Sequence, residues 1–220
     1  MLIASLAIVV ARLSPETNAF DRLVRFYSRV VLSVCGVRLV VKGSQQVDFS
    51  RHFIYVANHA SLLDIPAAIA GIPDNIRIVY KKELNFIPFL GWGLKLSKKN
   101  IPIDRAKGHE AVRRLEDAIK RVLGKASILL FAEGTRTPDG RLQPFKRGAF
   151  NLAVRANVPV VPLTIIGSHQ VLSKHSFRIN PGTITLILDK PVEPTASNGK
   201  SAENRLMEEV RAIIEHHFST

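Results

Sequence analysis

The chain has 220 residues and a mass of 24.4 kDa, room for one substantial domain. A composition of 46% hydrophobic and 22% charged residues excludes wholesale disorder, and a single cysteine, Cys35, excludes an intrachain disulfide framework or a cysteine-built metal site. A formal charge of +13 points to an anionic partner: nucleic acid, a phospholipid surface, or an acidic or phosphorylated substrate.

Leu2–Ala11 is wholly apolar and is stopped by Arg12. It is shorter than the ~20 residues that span a bilayer, and it lacks the basic start and cleavage site of a signal peptide. It reads as an interfacial or re-entrant anchor, against a buried strand or helical turn. Phe20–Val34 follows with Arg22, Arg25 and Arg29 on one helical stripe, and Phe20, Leu23, Tyr27, Val30, Val31 and Val34 are available for an apolar face. A basic amphipathic helix with aromatics suggests a membrane-surface element, against an ordinary domain helix with its arginines in water. Residues 1–35 are therefore expected to be membrane-associating helices, and residues 36–220 the α/β domain.

Val37–Lys42 is β-like, between Gly36 and Gly43. From about residue 50, short apolar runs alternate with helical patterns. Phe53–Ala57, Ile76–Tyr80, Ile101–Ile103, Ser127–Ala132, Val158–Leu163 and Thr183–Leu188 are strand candidates, several apolar on both faces. His109–Leu123, Arg147–Ala156 and the stripe Leu206, Val210, Ile213, Ile214, Phe218 are helix candidates, with Ser197–Lys200 a loop before the last. Alternation of this kind predicts an α/β fold with a mixed, largely parallel sheet covered by helices on both faces.

Three segments could carry chemistry. In Asn58–Asp64, His59 and Asp64 stand five positions apart just after a predicted strand. That spacing is about 140° out of register on one helix, so the two can meet only if His59 lies in the turn and Asp64 in the first helical turn. The pair could then serve as a general base, with Asp64 holding one imidazole nitrogen; Ser61 and Asp64 equally fit a capping box. In Phe131–Arg136, again after an apolar strand, Gly134 frees the backbone, Thr135 offers a hydroxyl, and Arg136 can grip an anion. Lys146 and Arg147 lie near the next helix start, where they would strengthen its preference for anions. Ile101–Arg105 is a short strand ending in Asp104 and Arg105, equally readable as a surface ion pair. Upstream of it, Phe86, Phe89 and Trp92 sit among lysines, which suits a membrane interface or base stacking. No nucleophile elbow, phosphate loop or metal-ligand spacing is present in the sequence.

Taken together, NHASLLD (58–64), IPIDR (101–105), FAEGTR (131–136) and VPVVPL (158–163) resemble, in order and spacing, the four blocks of the glycerolipid acyltransferase family. KKEL (81–84), IPFLGW (87–92) and PFKRGAF (144–150) are also similar to family members, and the resemblance spans about residues 37–190. This chain departs from the family in having Ala132 where the third block commonly has proline, and Asn100 where a small residue is frequent. The resemblance implies acyl transfer from a thioester, on acyl-carrier protein or coenzyme A, to the sn-2 hydroxyl of lysophosphatidic acid, giving phosphatidic acid. It implies His59 as general base with Asp64 behind it, and a substrate site in which Arg105, Gly134, Thr135 and Arg136 bind the acceptor phosphate and Glu133 orients their loop. An amide or lysine of Lys81–Lys82 is the candidate oxyanion donor, and VPVVPL is expected in the core or acyl-chain wall. No cofactor, metal or nucleic acid is expected. The expected location is the cytoplasmic face of the membrane, on anionic phospholipid, as a peripheral or monotopic protein. Two alternatives remain open: a sister acyltransferase acting on another lyso-lipid such as lyso-ornithine lipid, and a non-catalytic basic protein that binds nucleic acid.

Overall fold

The structure is a computed structural model that describes residues 19–86, 100–103, 117–119, 121–122, 124–195 and 199–219. Leu2–Ala11, Phe89, Trp92, Asp104, Arg105, Ser197, Asn198 and most of His109–Leu123 lie outside the described residues.

Among the described residues seven strands form one sheet, in the order β1-β7-β6-β2-β5-β3-β4. They are β1 (Val37–Lys42), β2 (Ile54–Ala57), β3 (Ile76–Lys81), β4 (Ile101–Ile103), β5 (Ser127–Phe131), β6 (Val160–Ile166) and β7 (Gly182–Leu188). Neighbours β6, β2, β5, β3 and β4 are parallel, whereas β7 pairs antiparallel with β6, and β1 runs parallel to β7. The sheet is therefore mixed and largely parallel, with helices on both faces. β2 is buried along its whole length and β5 up to its last residue because both of their faces are covered, and their polar groups, the Tyr55 and Ser127 hydroxyls, both bond Asp74.

Two cores result. Phe53, Tyr55 and Ala57 point to one face, under α1 (Ala19–Val34) and α2 (Asp64–Gly71). Ile54, Val56, Ile128 and Leu130 point to the other, under α3 (Gly148–Ala156) and α5 (Lys200–Phe218). A four-residue helix, α4 (Ser168–Val171), follows β6. β6 begins two residues later than its apolar run and continues to Ile166, because Leu163–Ile166 pair with β7. Pro162 is tolerated within it at the margin of that antiparallel ladder, where its carbonyl accepts from Asp189 N–H and no N–H is required in return.

α1 spans the expected segment but turns a different face inward. Ser28 and Leu32 are buried, while Phe26, Tyr27 and Val34 are exposed. Arg25 does not share a solvent stripe with Arg22 and Arg29: its guanidinium donates to the carbonyls of Ile72 and Asp74. Burial, with Arg29 nearby, pulls Arg25 below its usual pKa. Arg77 grips Asp21 with both terminal nitrogens, at 2.7 and 3.1 Å. These contacts join α1 to the carbonyls just past α2 and to β3. No helix among the described residues is long and apolar enough to cross a membrane.

Candidate active site

The connections from β2 and β5 leave in opposite directions. β2 passes through α2 on one face to β3, and β5 passes through α3 on the other face to β6. Neighbouring parallel strands that part in this way open a crevice beyond their C-terminal ends, where α/β proteins bind ligands. Ala57 and Phe131 are register partners at those ends. The 58–63 and 132–147 loops therefore meet there, although His59 and Glu133 are 74 positions apart in sequence.

His59 lies in the turn after β2 and Asp64 begins α2, so the five-residue spacing is bridged as the helical geometry required. His59 Nδ1 and Asp64 Oδ2 are 2.7 Å apart. The same oxygen accepts from the backbone N–H of Ala60 at 2.7 Å and of Ser61 at 2.8 Å. Asp64 is fully buried and the His59 side chain retains 16% exposure, a fixed carboxylate behind an accessible ring. The ring also stacks on Phe131 with centroids 3.8 Å apart. With Nδ1 held, Nε2 is the nitrogen left to exchange a proton. The capping contacts coexist with the pair: Asp64 reaches back to Ser61 N–H, and Ser61 Oγ accepts from Leu63 N–H while donating to Leu172 O.

The second loop is stitched to the first. Ala132 N–H donates to Ala57 O at 2.9 Å, a bond that a proline at this position could not make. Glu133, 3% exposed, accepts from His59 N–H at 2.7 Å through Oε1 and from Gln143 N–H at 3.2 Å through Oε2. Burial pushes its carboxyl up to about 7 against the pull of those two amides, and Asp64 adds to the rise. Thr137 N–H closes the seam on His59 O at 2.8 Å. Glu133 thus bonds protein amides and braces the loop that carries His59.

Gly134 has φ +72°, in the left-handed region. A Cβ there would stand 3.0–3.2 Å from the Lys146 side chain, so its absence lets that ammonium lie across the loop. Thr135 is exposed beside it. Arg136 is half-buried and makes a long 3.5 Å contact with Lys174 O. Gly134, Thr135 and Arg136 follow Glu133 in the loop that bonds His59, and the Lys146 side chain lies against Gly134, so this loop carries two cations.

Lys81 ends β3 and lies 3.4 Å from Glu83, both half exposed, and Lys82 opens the next turn. Arg105 lies outside the described residues. Asn100, the other departure from the family pattern, accepts Ile78 N–H through Oδ1. Sequence reasoning missed Phe131 as the floor of the imidazole; its only signal is an aromatic ending the strand before the Glu133 loop. It also missed Arg211 of α5, which donates to Gln143 O at 3.1 Å and lies over the Phe145 ring, bracing the far side of that loop. Among the described residues no cluster of histidine, cysteine or carboxylates could hold a metal ion.

A family model described as Acyltransferase matches residues 38–166, more than half of the chain and both loops. The chain belongs to the acyltransferase family. A 1-acyl-sn-glycerol-3-phosphate acyltransferase from Cocos nucifera is 31% identical over 86% of this acyltransferase chain and 61% of its own length. The chain thus spans about three fifths of that relative. An uncharacterized acyltransferase from Schizosaccharomyces pombe is 31% identical over 95% of the chain and 76% of its own length. The crystal structure of the 1-acyl-sn-glycerophosphate (LPA) acyltransferase PlsC from Thermotoga maritima has the same fold. Its TM-score is 0.80 at 24% identity, covering 98% of this chain and 88% of that one.

Proposed function

We propose that this acyltransferase moves a fatty acyl group from a thioester to the sn-2 hydroxyl of 1-acylglycerol 3-phosphate, forming phosphatidic acid. The observation that carries this reading is the His59–Asp64 pair placed at the parallel strand ends beside a cationic loop, in a chain similar to proteins of that name. His59 Nε2 takes the proton as the acceptor oxygen attacks the thioester carbonyl, and Asp64 stabilises the imidazolium. The tetrahedral intermediate collapses with cleavage of the C–S bond, and the imidazolium returns its proton to the departing thiolate. An enzyme nucleophile is not required, because the hydroxyl attacks directly.

Arg136, Thr135, Gly134 and Lys146 hold the acceptor phosphate, with Arg105 as a further ligand, while Glu133 keeps the two loops in register. The Lys81–Lys82 segment supplies the oxyanion donor. The donor is acyl-carrier protein or coenzyme A, both acidic and both suited to a chain of +13. The site of action is the cytoplasmic face of the membrane, reached as a peripheral or monotopic protein on anionic phospholipid. The test is an assay of the purified protein with both thioester donors against lysophosphatidic acid and phosphate-free lyso-lipids. Acylation of lysophosphatidic acid, lost in His59→Ala, is expected; turnover restricted to a phosphate-free acceptor such as lyso-ornithine lipid refutes the acceptor assignment.

A further inference from the structure

The segment from Leu172 to Pro181, between α4 and β7, has no part in the chemistry above. Phe177 is as exposed as a side chain can be, at 102% of its reference area. This is not the disorder of a slack loop. Ser176 N–H bonds Ser173 O, and Ser176 Oγ accepts from Arg178 N–H at 2.9 Å and donates back to Arg178 O. Asn180 N–H closes the base of the loop on Val171 O. Ser176 and Arg178 are thus clasped together, and Phe177 between them is held outward. Ile179 is exposed beyond it, and Lys174, His175 and Arg178 give the tip a basic rim.

The direction of this knob follows from topology. β6 runs parallel to β2 and β5, so the loop after it leaves at the active-site end of the sheet. Ser61 Oγ reaches Leu172 O, and Arg136 reaches Lys174 O. α1 ends at the same rim: Gly182 N–H bonds Gly36 O, which sets exposed Val34 nearby. Leu62, beside His59, is exposed as well. Large exposed apolar side chains with cations among them, gathered at one end of the sheet, mark an interaction surface.

We infer that residues 173–180 dock on an anionic phospholipid bilayer. Phe177 and Ile179 enter the acyl boundary, and Lys174 and Arg178 meet the lipid phosphates. A protruding apolar knob with a cationic rim fits a deformable, negatively charged lipid surface by shape and charge. This rests on the lysophospholipid reading of the site and deepens it: the bonds from Ser61 and Arg136 to this loop set His59 and the phosphate site at headgroup level, where an acceptor need not leave the membrane.

The experiment uses the full chain and vesicles of phosphatidylcholine with or without phosphatidylglycerol. Phe177→Ala should weaken co-sedimentation about tenfold at low and high salt alike, as expected for a lost apolar insertion. Lys174→Ala and Arg178→Ala should each cost about fivefold on anionic vesicles at low salt and almost nothing on neutral ones. In a Trp92→Phe background, Phe177→Trp reports on position 177 directly. Its emission should shift to the blue on anionic vesicles and be quenched by lipids brominated near the glycerol. Emission that stays put while the protein co-sediments overturns the inference, as does a Phe177→Ala protein that binds like its parent, or a parent that binds neither vesicle. Neither readout requires turnover. A protein that docks through Phe177 but does not acylate lysophosphatidic acid would refute the acceptor assignment and leave the docking surface standing.

Discussion

Glu133→Gln tests whether a buried carboxylate holds the two active-site loops together. Glu133 faces two donors, His59 N–H and Gln143 N–H, one on each oxygen. The amide of glutamine keeps one acceptor and turns the other position into a donor. Its oxygen will face His59, the closer partner, leaving Gln143 N–H opposite an NH2 group at a cost of about 1–3 kcal/mol. Against this stands the desolvation of the wild-type carboxylate. Burial lifts the Glu133 pKa from 4.5 to about 7, so the folded state binds that proton more tightly than the unfolded chain. Its contribution to stability is fully present below pH 4.5 and is lost as pH rises through about 7. At 1.36 kcal/mol per tenfold change in proton affinity, about 3 kcal/mol disappears across that window. Glutamine does not titrate. Urea unfolding of both proteins at pH 5, 6, 7 and 8 should show wild type clearly more stable at pH 5 and its advantage gone or reversed by pH 8. Ionisations common to both proteins cancel in the difference. Parallel stability profiles for the two proteins would show that Glu133 is not held at this pKa and would refute the reasoning.

Asp64→Asn should lower kcat by about 10²–10⁴ through loss of the charge behind His59, while Ala60 and Ser61 N–H keep an acceptor oxygen; circular dichroism should show the fold retained. Gly134→Ala forces a side chain into the left-handed region, at about 1–2 kcal/mol, and presses on Lys146. It should raise KM for lysophosphatidic acid more than KM for the thioester, as read from initial rates with each substrate varied. Leu32→Ala should destabilise the domain by about 2–5 kcal/mol in urea unfolding, because α1 packs on α2 and β1; an unchanged midpoint would make α1 an appendage.

Local pattern made much of the architecture legible. The six residues of Val37–Lys42 read as a strand and are one, because alternation and β-branching act within the segment. The helix over Phe20–Val34 was equally visible, but its orientation was not. The arginine spacing suggests one basic stripe, yet Arg25 turns inward because the turn after α2 presents two carbonyls, of Ile72 and Asp74, that need a donor. A periodicity records which residues share a face; it carries no information about which neighbour has polar groups to satisfy.

The candidate site divides in the same way. By itself the sequence determined the local parts: strand ends followed by NHASLLD and by FAEGTR, and a histidine and aspartate that one turn can join. Those depend on backbone geometry over a few residues. Only the tertiary structure decided that β2 and β5 are neighbours, that Glu133 bonds amides on both sides of the seam, and that Phe131 floors the His59 ring. It alone placed the Phe177 knob at the same end of the sheet. These contacts join residues tens to more than a hundred positions apart. Strand order and the hand of each crossover select them, and both are set by the burial of two whole sheet faces rather than by any short run of residues.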